Sequence, residues 1–212
     1  MSTPPRLGRI ARAFSKMVDA VKADFATSQS FDAKYATRGG PQRASLAGDL
    51  VKRVGLQISG AYRVMRFFDE AGIPLAPQVM SRMIRHVYGS DIHWKAEIEP
   101  GVVVVHGMGL CISHAARVGR SALLFQHVTL GAGRHPETLE SGSPTIEDDV
   151  HIGAGTVIIG PVTIGARSKI MANCVITRSV PPDSLVEAPT PSVKARARSR
   201  SSRESSGSGR AS

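Results

Sequence analysis

The chain has 212 residues, 42% of them apolar and only 5% aromatic, with 21 glycines. That is enough for one well-filled core, or a core with a small helical appendage, packed around small side chains. The net charge is +10, but the last 20 residues carry six basic side chains and one acidic one, so about half of the excess sits in a tail and says little about the folded body. Cys111 and Cys174 lie far apart and give neither a disulfide framework nor a zinc spacing. No apolar run approaches the roughly 18 residues of a membrane span. The opening "MSTPPRLGRIARAF" lacks the apolar stretch of a signal peptide, so a cytoplasmic location is expected.

In chain order, Leu7, Ile10, Phe14, Val18, Val21 and Phe25 recur at helical spacing behind Pro4 and Pro5 and predict a docking helix. Arg6, Arg9, Arg12 and Lys16 form its solvated basic face, with weak contact to an anionic membrane surface as the alternative. "SFDAKYATRGGPQ" ends it. From about Ser45 a second helix carries Leu46, Leu50, Val54, Ile58, Ala61, Met65 and Phe68 as one stripe, and "AGIPLAP" ends that. A third, from about Gln78 to Tyr88, carries Val79, Met80, Met83, Ile84 and Val87. Residues 1–90 therefore read as an N-terminal α-helical domain.

From Ile92 the period changes to six: "IHWKAE", "IEPGVV", "VVHGMG", an eight-residue "LCISHAAR", "VGRSAL", "LFQHVT", and, after a long insertion following Leu130, "IEDDVH" through "ITRSVP". Each unit opens on Ile, Val or Leu, and its fifth position is often Ala, Val, Ser or Cys. Neither the helical nor the strand period produces this. A hexad that is one short strand plus a turn does, with three hexads closing a triangular coil of about 18 residues and the coils stacking as a solenoid over residues 91–193. The first position then points inward, and the fifth, near a tight corner, must be small. About four coils are expected, with the insertion after Leu130 as a surface loop. The Ser- and Arg-rich segment 194–212 cannot bury a core and is expected to be a disordered basic tail.

His106 ends the apolar run "VVVV" and falls third in its hexad, facing outward where a substrate can reach it. Its side chain is the one whose ordinary pKa lies near neutrality, so it reads either as a general base or as a solvated histidine. A base needs an orienting partner on its other nitrogen, and Asp91, 15 residues earlier, stands close below it in such a coil. The other reading of Asp91 is a cap at the junction of helices and solenoid. His114, His127 and His151 read as solvated or stacked between coils, and no carboxylate or cysteine cluster supports a metal.

"AYR" at 61–63, "DIH" at 91–93, the His106 unit, "VTLG" at 128–131, "IGAG" at 152–155 and "SVPPDS" at 179–184 together resemble the hexapeptide-repeat acyltransferases with a left-handed parallel β-helix, serine O-acetyltransferases most of all. The fold class implied is mainly β, a left-handed parallel β-helix preceded by a small α-helical domain. The resemblance implies an acetyl-CoA-dependent O-acetyltransferase with acetyl-CoA as co-substrate, no metal, and a homotrimer whose sites form between adjacent subunits. It implies His106 as the base and Asp91 as its partner, and it assigns Gly131, Ala132, Ala154 and Ala172 to the coenzyme A groove, although small residues also suit tight corners. Asp32 is the match to a family carboxylate from the helical part.

Two features depart from the resemblance. Val105 stands where the family has an aspartate for the substrate ammonium, and Gly142-Ser143 stands where it has an Arg-His pair for the carboxylate. An "RHP", Arg134 to Pro136, lies ten residues too early, which leaves Arg134, His135 and Ser143 as acceptor contacts only if the loop is rebuilt. The departures point to a neutral acceptor, a sugar hydroxyl in polysaccharide biosynthesis as in capsule O-acetyltransferases. L-serine and a non-catalytic, partner-binding role remain as alternatives. Nucleic acid is not the expected partner, and any membrane association is expected to be peripheral, at the inner face.

Overall fold

The computed structural model describes residues 6–35, 45–190 and 192; the predicted tail lies outside them, apart from what precedes it. Four helices come first: α1 (Arg6–Tyr35), α2 (Leu46–Lys52), α3 (Val54–Ala71) and α4 (Ala76–Tyr88). Ser45 caps α2 by accepting the Gly48 amide. α3 ends at Gly72, whose φ of 72° is the left-handed conformation that glycine adopts without a steric cost.

Two helical expectations are corrected. The predicted stripe of α1 is not its buried face: Leu7 is 82% exposed, and the buried row is Ala13, Ala20, Asp24 and Ser28. The helix is turned by about one residue, roughly 100°, because small side chains let it lie close against α3 and because Asp24 has a buried partner there. Phe14 stays at the rim, edge-on to Phe67 with centroids 6.2 Å apart. The basic face is not wholly solvated either. Arg9 donates to the Glu70 carbonyl (2.6 Å) and Lys16 to the Glu70 carboxylate (2.9 Å), at the C-terminal end of α3 where cations are favoured. The second correction is that the single helix expected from Ser45 breaks at Arg53 (φ −110°, ψ 104°) into α2 and α3. Among the described residues no helix is long and apolar enough to cross a membrane.

The repeat from Ile92 builds three parallel sheets. Strands beginning at Asp91, Cys111, Thr129, Val157 and Val175 form the first, those at Glu97, Arg117, Thr145 and Thr163 the second, and those at Val103, Leu123, His151, Lys169 and Leu185 the third. Register stacks like on like: Ile92, Ile112, Leu130, Ile158 and Ile176 form one inward column of the first sheet. Of the fifth positions, Ala96, Val102, Ala116, Ala122, Val128, Val150, Thr156, Val162, Ser168 and Cys174 are buried, and Val180 is partly covered. The two hydroxyls among them are satisfied at the corners, Thr156 on the Met171 carbonyl (3.0 Å) and Ser168 on that of Pro181 (2.9 Å).

The solenoid is longer than the four coils expected, with five strands in two of its sheets. The two extra residues also fall elsewhere than expected. Because Ile92 pairs with Ile112 and Val104 with Leu124, the eight-residue step runs from Val104 to Ile112, through His106, and not over 110–117. Leu110 stays fully buried, which disguises the shift in the sequence.

The helices close the first coil. Tyr62 donates to the Ala96 carbonyl (2.8 Å) and accepts the Ile98 amide (3.1 Å). Arg63 donates to the carbonyls of Ile98 (2.5 Å) and Glu99 (2.7 Å) and holds Asp24 with two bonds of 2.9 and 3.0 Å. Asp24 in turn accepts the Gly101 amide (2.8 Å). Burial pushes the Asp24 carboxyl up from its ordinary value, against the pull of Arg63.

Arg63→Met leaves that carboxylate buried and alone, and is expected to cost about 3–5 kcal/mol in urea unfolding. Tyr62→Phe, which strips one amide of its acceptor, is expected to cost about 1–3 kcal/mol. Equal unfolding midpoints for wild type and both variants would show that the junction contributes nothing.

Candidate functional site

His106 sits on the edge of the prism where the third sheet turns into the first. The widened step forms a corner in which the Gly107 amide closes on the Val105 carbonyl (2.7 Å) and the Gly109 amide on that of Gly89 (3.0 Å). Ser90, fully buried, donates to the Gly107 carbonyl (2.6 Å) and fixes the corner from below. His106 has φ 62° and its ring is exposed. A Cβ on Gly107 would lie 2.5 Å from Ile58 Cδ1, so a larger residue beside the histidine would collide with α3. Above it the same edge continues as a ladder: the His127 amide to the Met108 carbonyl (2.8 Å), Gly155 to Gln126 (3.1 Å) and Asn173 to Ala154 (2.8 Å). The His127 ring lies over Gly109, whose Cβ would fall 2.1 Å from its Nδ1.

A cleft of about 720 Å³ opens between this edge and the helices. α3 reaches it because Gly55 lets the helix touch the strand: a Cβ there would lie 1.8 Å from the Val104 carbonyl oxygen. Val105, His106, Met108, Gln126 and His127 line the solenoid side, and Asp32 and Arg53 line the helical side. Asp32 and Arg53 form an ion pair, and Arg53 Nε also reaches Asp49 at 3.1 Å. Gln126 Oε1 is buried with no hydrogen-bond partner among the described residues.

The structure therefore brings Asp32, Val105 and His106 together, and the other expected residues lie elsewhere. Asp91 does stand at the same corner, its amide on the Leu110 carbonyl (2.8 Å), but its carboxylate accepts from Arg85 Nη2 (2.7 Å) and not from the imidazole. The loop after Leu130 folds as a hairpin, Gly133–Arg134 against Ser141–Gly142, tied to the last coil by Arg178 and Glu137 at 2.8 Å. His135 is turned into it, Nδ1 accepting the Glu137 and Thr138 amides (3.2 and 3.3 Å). Ser143 meets the Ser113 hydroxyl at 3.0 Å on the far edge of the first sheet. Arg134, His135 and Ser143 thus do not line the cleft of their own chain. Ala154 and Ala172 lie on the His106 edge, whereas Gly131 and Ala132 lie where the strands of the first sheet end, on its other side.

Arg53 and Gln126 were missed in the sequence. Arg53 sits inside what reads as one continuous helix, and Gln126 in an ordinary hexad; only the helix break and the cleft reveal them. Cys111, beside Asp91 in the sheet, is no rival nucleophile, since burial and the neighbouring carboxylate push its thiol up. His93 stacks on Trp94 at 3.9 Å and is held below its ordinary value by burial and by His114. Among the described residues no three His, Cys, Asp or Glu side chains are grouped to hold a metal ion.

Residues 143–178 match the bacterial transferase hexapeptide (six repeats). A serine acetyltransferase of Synechococcus elongatus is 34% identical over 134 residues, 62% of this chain and 53% of that protein. One from Mycobacterium tuberculosis is 33% identical over 138 residues, 62% of this chain and 57% of that protein. The chain spans about half the length of the curated relatives it matches. In three dimensions it superposes on serine acetyltransferase isoform 3 of Entamoeba histolytica, solved with cysteine, at a TM-score of 0.74 and 29% identity, over 90% of this chain and 65% of that one. With its inward aliphatic columns, its widened histidine corner and these likenesses, the chain is a hexapeptide-repeat protein, a left-handed parallel β-helix preceded by helices, similar in sequence and fold to the serine acetyltransferases.

Proposed function

We propose that this protein is an acetyl-CoA-dependent O-acetyltransferase whose acceptor is the hydroxyl of L-serine or a closely similar hydroxy amino acid. The observation that carries the reading is an exposed imidazole at a widened corner, opening on a cleft that also holds an Asp–Arg ion pair. His106 removes the proton of the acceptor hydroxyl as its oxygen attacks the acetyl carbonyl; the C–O bond forms, the C–S bond breaks, and the imidazolium returns the proton to the coenzyme A sulfur. Asp91, at the same corner but bonded to Arg85, is the partner that the resemblance implies for His106. The donor fits along the His106 edge, where Ala154 and Ala172 leave room beside a ladder of backbone groups.

The expectation of a carbohydrate acceptor finds no support in the relatives cited, which are serine acetyltransferases. It keeps one specific observation, the apolar Val105 in the cleft wall. The active unit we propose is a trimer. Its support is the first sheet, which lies between the His106 edge and the Ser113–Ser143 edge and shows Val175 at 71% exposure.

His106→Ala is expected to lower turnover by about 10²-fold or more while acetyl-CoA still binds, since only proton transfer is removed; near-normal turnover would end its assignment as base. In a thiol-release assay at saturating acetyl-CoA, the kcat/KM for L-serine is expected above about 10⁴ M⁻¹s⁻¹, with sugars far below it. A sugar that outperforms serine would establish the second reading. Light scattering is expected to give about three times the chain mass of 22.5 kDa, and a monomeric active enzyme would rule the trimer out.

A further inference from the structure

We infer that Arg53 selects the acceptor by binding its carboxylate, with Asp32 and Gln126 receiving the ammonium group, so that amino-acid recognition comes from the cleft between helices and solenoid and not from the loop after Leu130; this rests on the reading that the acceptor is a hydroxy amino acid.

Position is the first argument. The chain breaks at Arg53, whose side chain makes no capping bond to α3 and is free to project sideways. Two residues on, Gly55 presses α3 onto the Val104 carbonyl, so Arg53 is held across the cleft from Val105 and His106. The first turn of α3, with its unpaired amides, adds a partial positive charge on the same side.

Bonding is the second. Arg53 is one-third exposed, with Nε on Asp49, and Nη1 on Asp32 and, at 3.4 Å, on Ser28. Among the described residues Nη2 carries no bond, which leaves one donor of a held guanidinium unused on a residue that lines the cleft. A zwitterion entering between Asp32 and Arg53 replaces one ion pair by two, and this offsets the loss of its own hydration.

The third is the orphan. Gln126 Oε1, buried on the cleft wall, lacks a donor, and an ammonium group supplies one. It stands near Val105, the position whose apolar side chain left the ammonium without a grip. Lys52 is the other cation of the cleft lining, but it is exposed and outside the ion-pair network, so it is the control.

The test is the ratio of kcat/KM for L-serine to that for L-serinamide, which keeps the ammonium and hydroxyl and replaces the carboxylate by a neutral amide. Arg53→Gln is expected to lower the ratio at least about tenfold, the size of one charge-assisted hydrogen bond, while Lys52→Gln leaves it as in wild type. A merely structural role lowers both acceptors together and leaves the ratio unchanged, and that result overturns the inference, as does a fall in Lys52→Gln alone. The ratio depends only on the molecules that fold. If Arg53→Gln yields none, Arg53→Lys, which keeps the charge but not the fork, is expected to lower the ratio by a smaller factor, and an unchanged ratio there overturns it equally. A wild type that acetylates neither acceptor overturns the proposed function and this inference with it; a wild type active on serine whose ratio survives Arg53→Gln overturns only the role of Arg53.

Discussion

A stack of parallel coils satisfies its peptide groups only where there is a coil on either side, so the first coil needs a lid that can hydrogen-bond. Tyr62, Arg63 and Asp24 are that lid. Between them they take the Ala96 carbonyl, both backbone groups of Ile98, the Glu99 carbonyl and the Gly101 amide. Buried backbone groups without partners are costly, and a helix offers none of its own backbone for the purpose, so the bonds must come from long polar side chains. Once Arg63 is committed to the coil, its charge needs a buried counterion, and that draws Asp24 and the whole of α1 against α3. The register of α1, and with it the site of Asp32 two turns later, follows from one ion pair and not from the apolar stripe.

The left-handed backbone of His106 is not a strain peculiar to a reactive residue. Ser121, His127, Asp149, Arg167, Asn173 and Asp183 take positive φ at comparable turns, with values between 55° and 61°. Such turns are a property of the fold, set by hexads that must bend after two or three extended residues. The His106 corner differs in length. The eight-residue step from Val104 to Ile112 lets the chain swing outward before Leu110 returns to the core. That swing exposes the ring and widens the edge against α3, and Ser90 holds the displaced turn on the segment that leads out of α4.

Periodicity made the solenoid legible. Twelve units with an aliphatic first position and a mostly small fifth one leave little freedom, and those columns are buried in the structure with few exceptions, Ile98 and Val104 being only partly covered beneath the helices and Val180 near the last coil. His106 and Asp32 came from the resemblance, and the structure places both on the cleft lining. What the sequence hid were features that depend on two segments meeting. The position of the two extra residues could not be read because Leu110 and Ile112 are both acceptable core residues. The break at Arg53 was hidden because Leu50, Val54 and Ile58 keep the helical period across it, and Asp91's bond to Arg85 because nothing in a hexad says which way an exposed carboxylate turns.

The site divides its chemistry between the two parts of the chain. In the proposed reaction the solenoid supplies the base and the edge along which a thioester donor fits, and both come from a repeat whose inward positions are fixed by burial. The helices supply Asp32 and Arg53, charges carried on elements whose only constraint toward the solenoid is the Tyr62–Arg63 lid and the contact at Gly55. In the proposed site an apolar residue beside His106, as at Val105, takes a charge from the corner while the Asp32–Arg53 ion pair keeps both signs in the cleft. The neutral acceptor was read from Val105 and Gly142-Ser143 because Arg53, 53 residues before His106, carries no signal of its own in the sequence; a helix close enough to touch the strand at Gly55 is what brings Arg53 and Asp32 to the cleft that His106 lines.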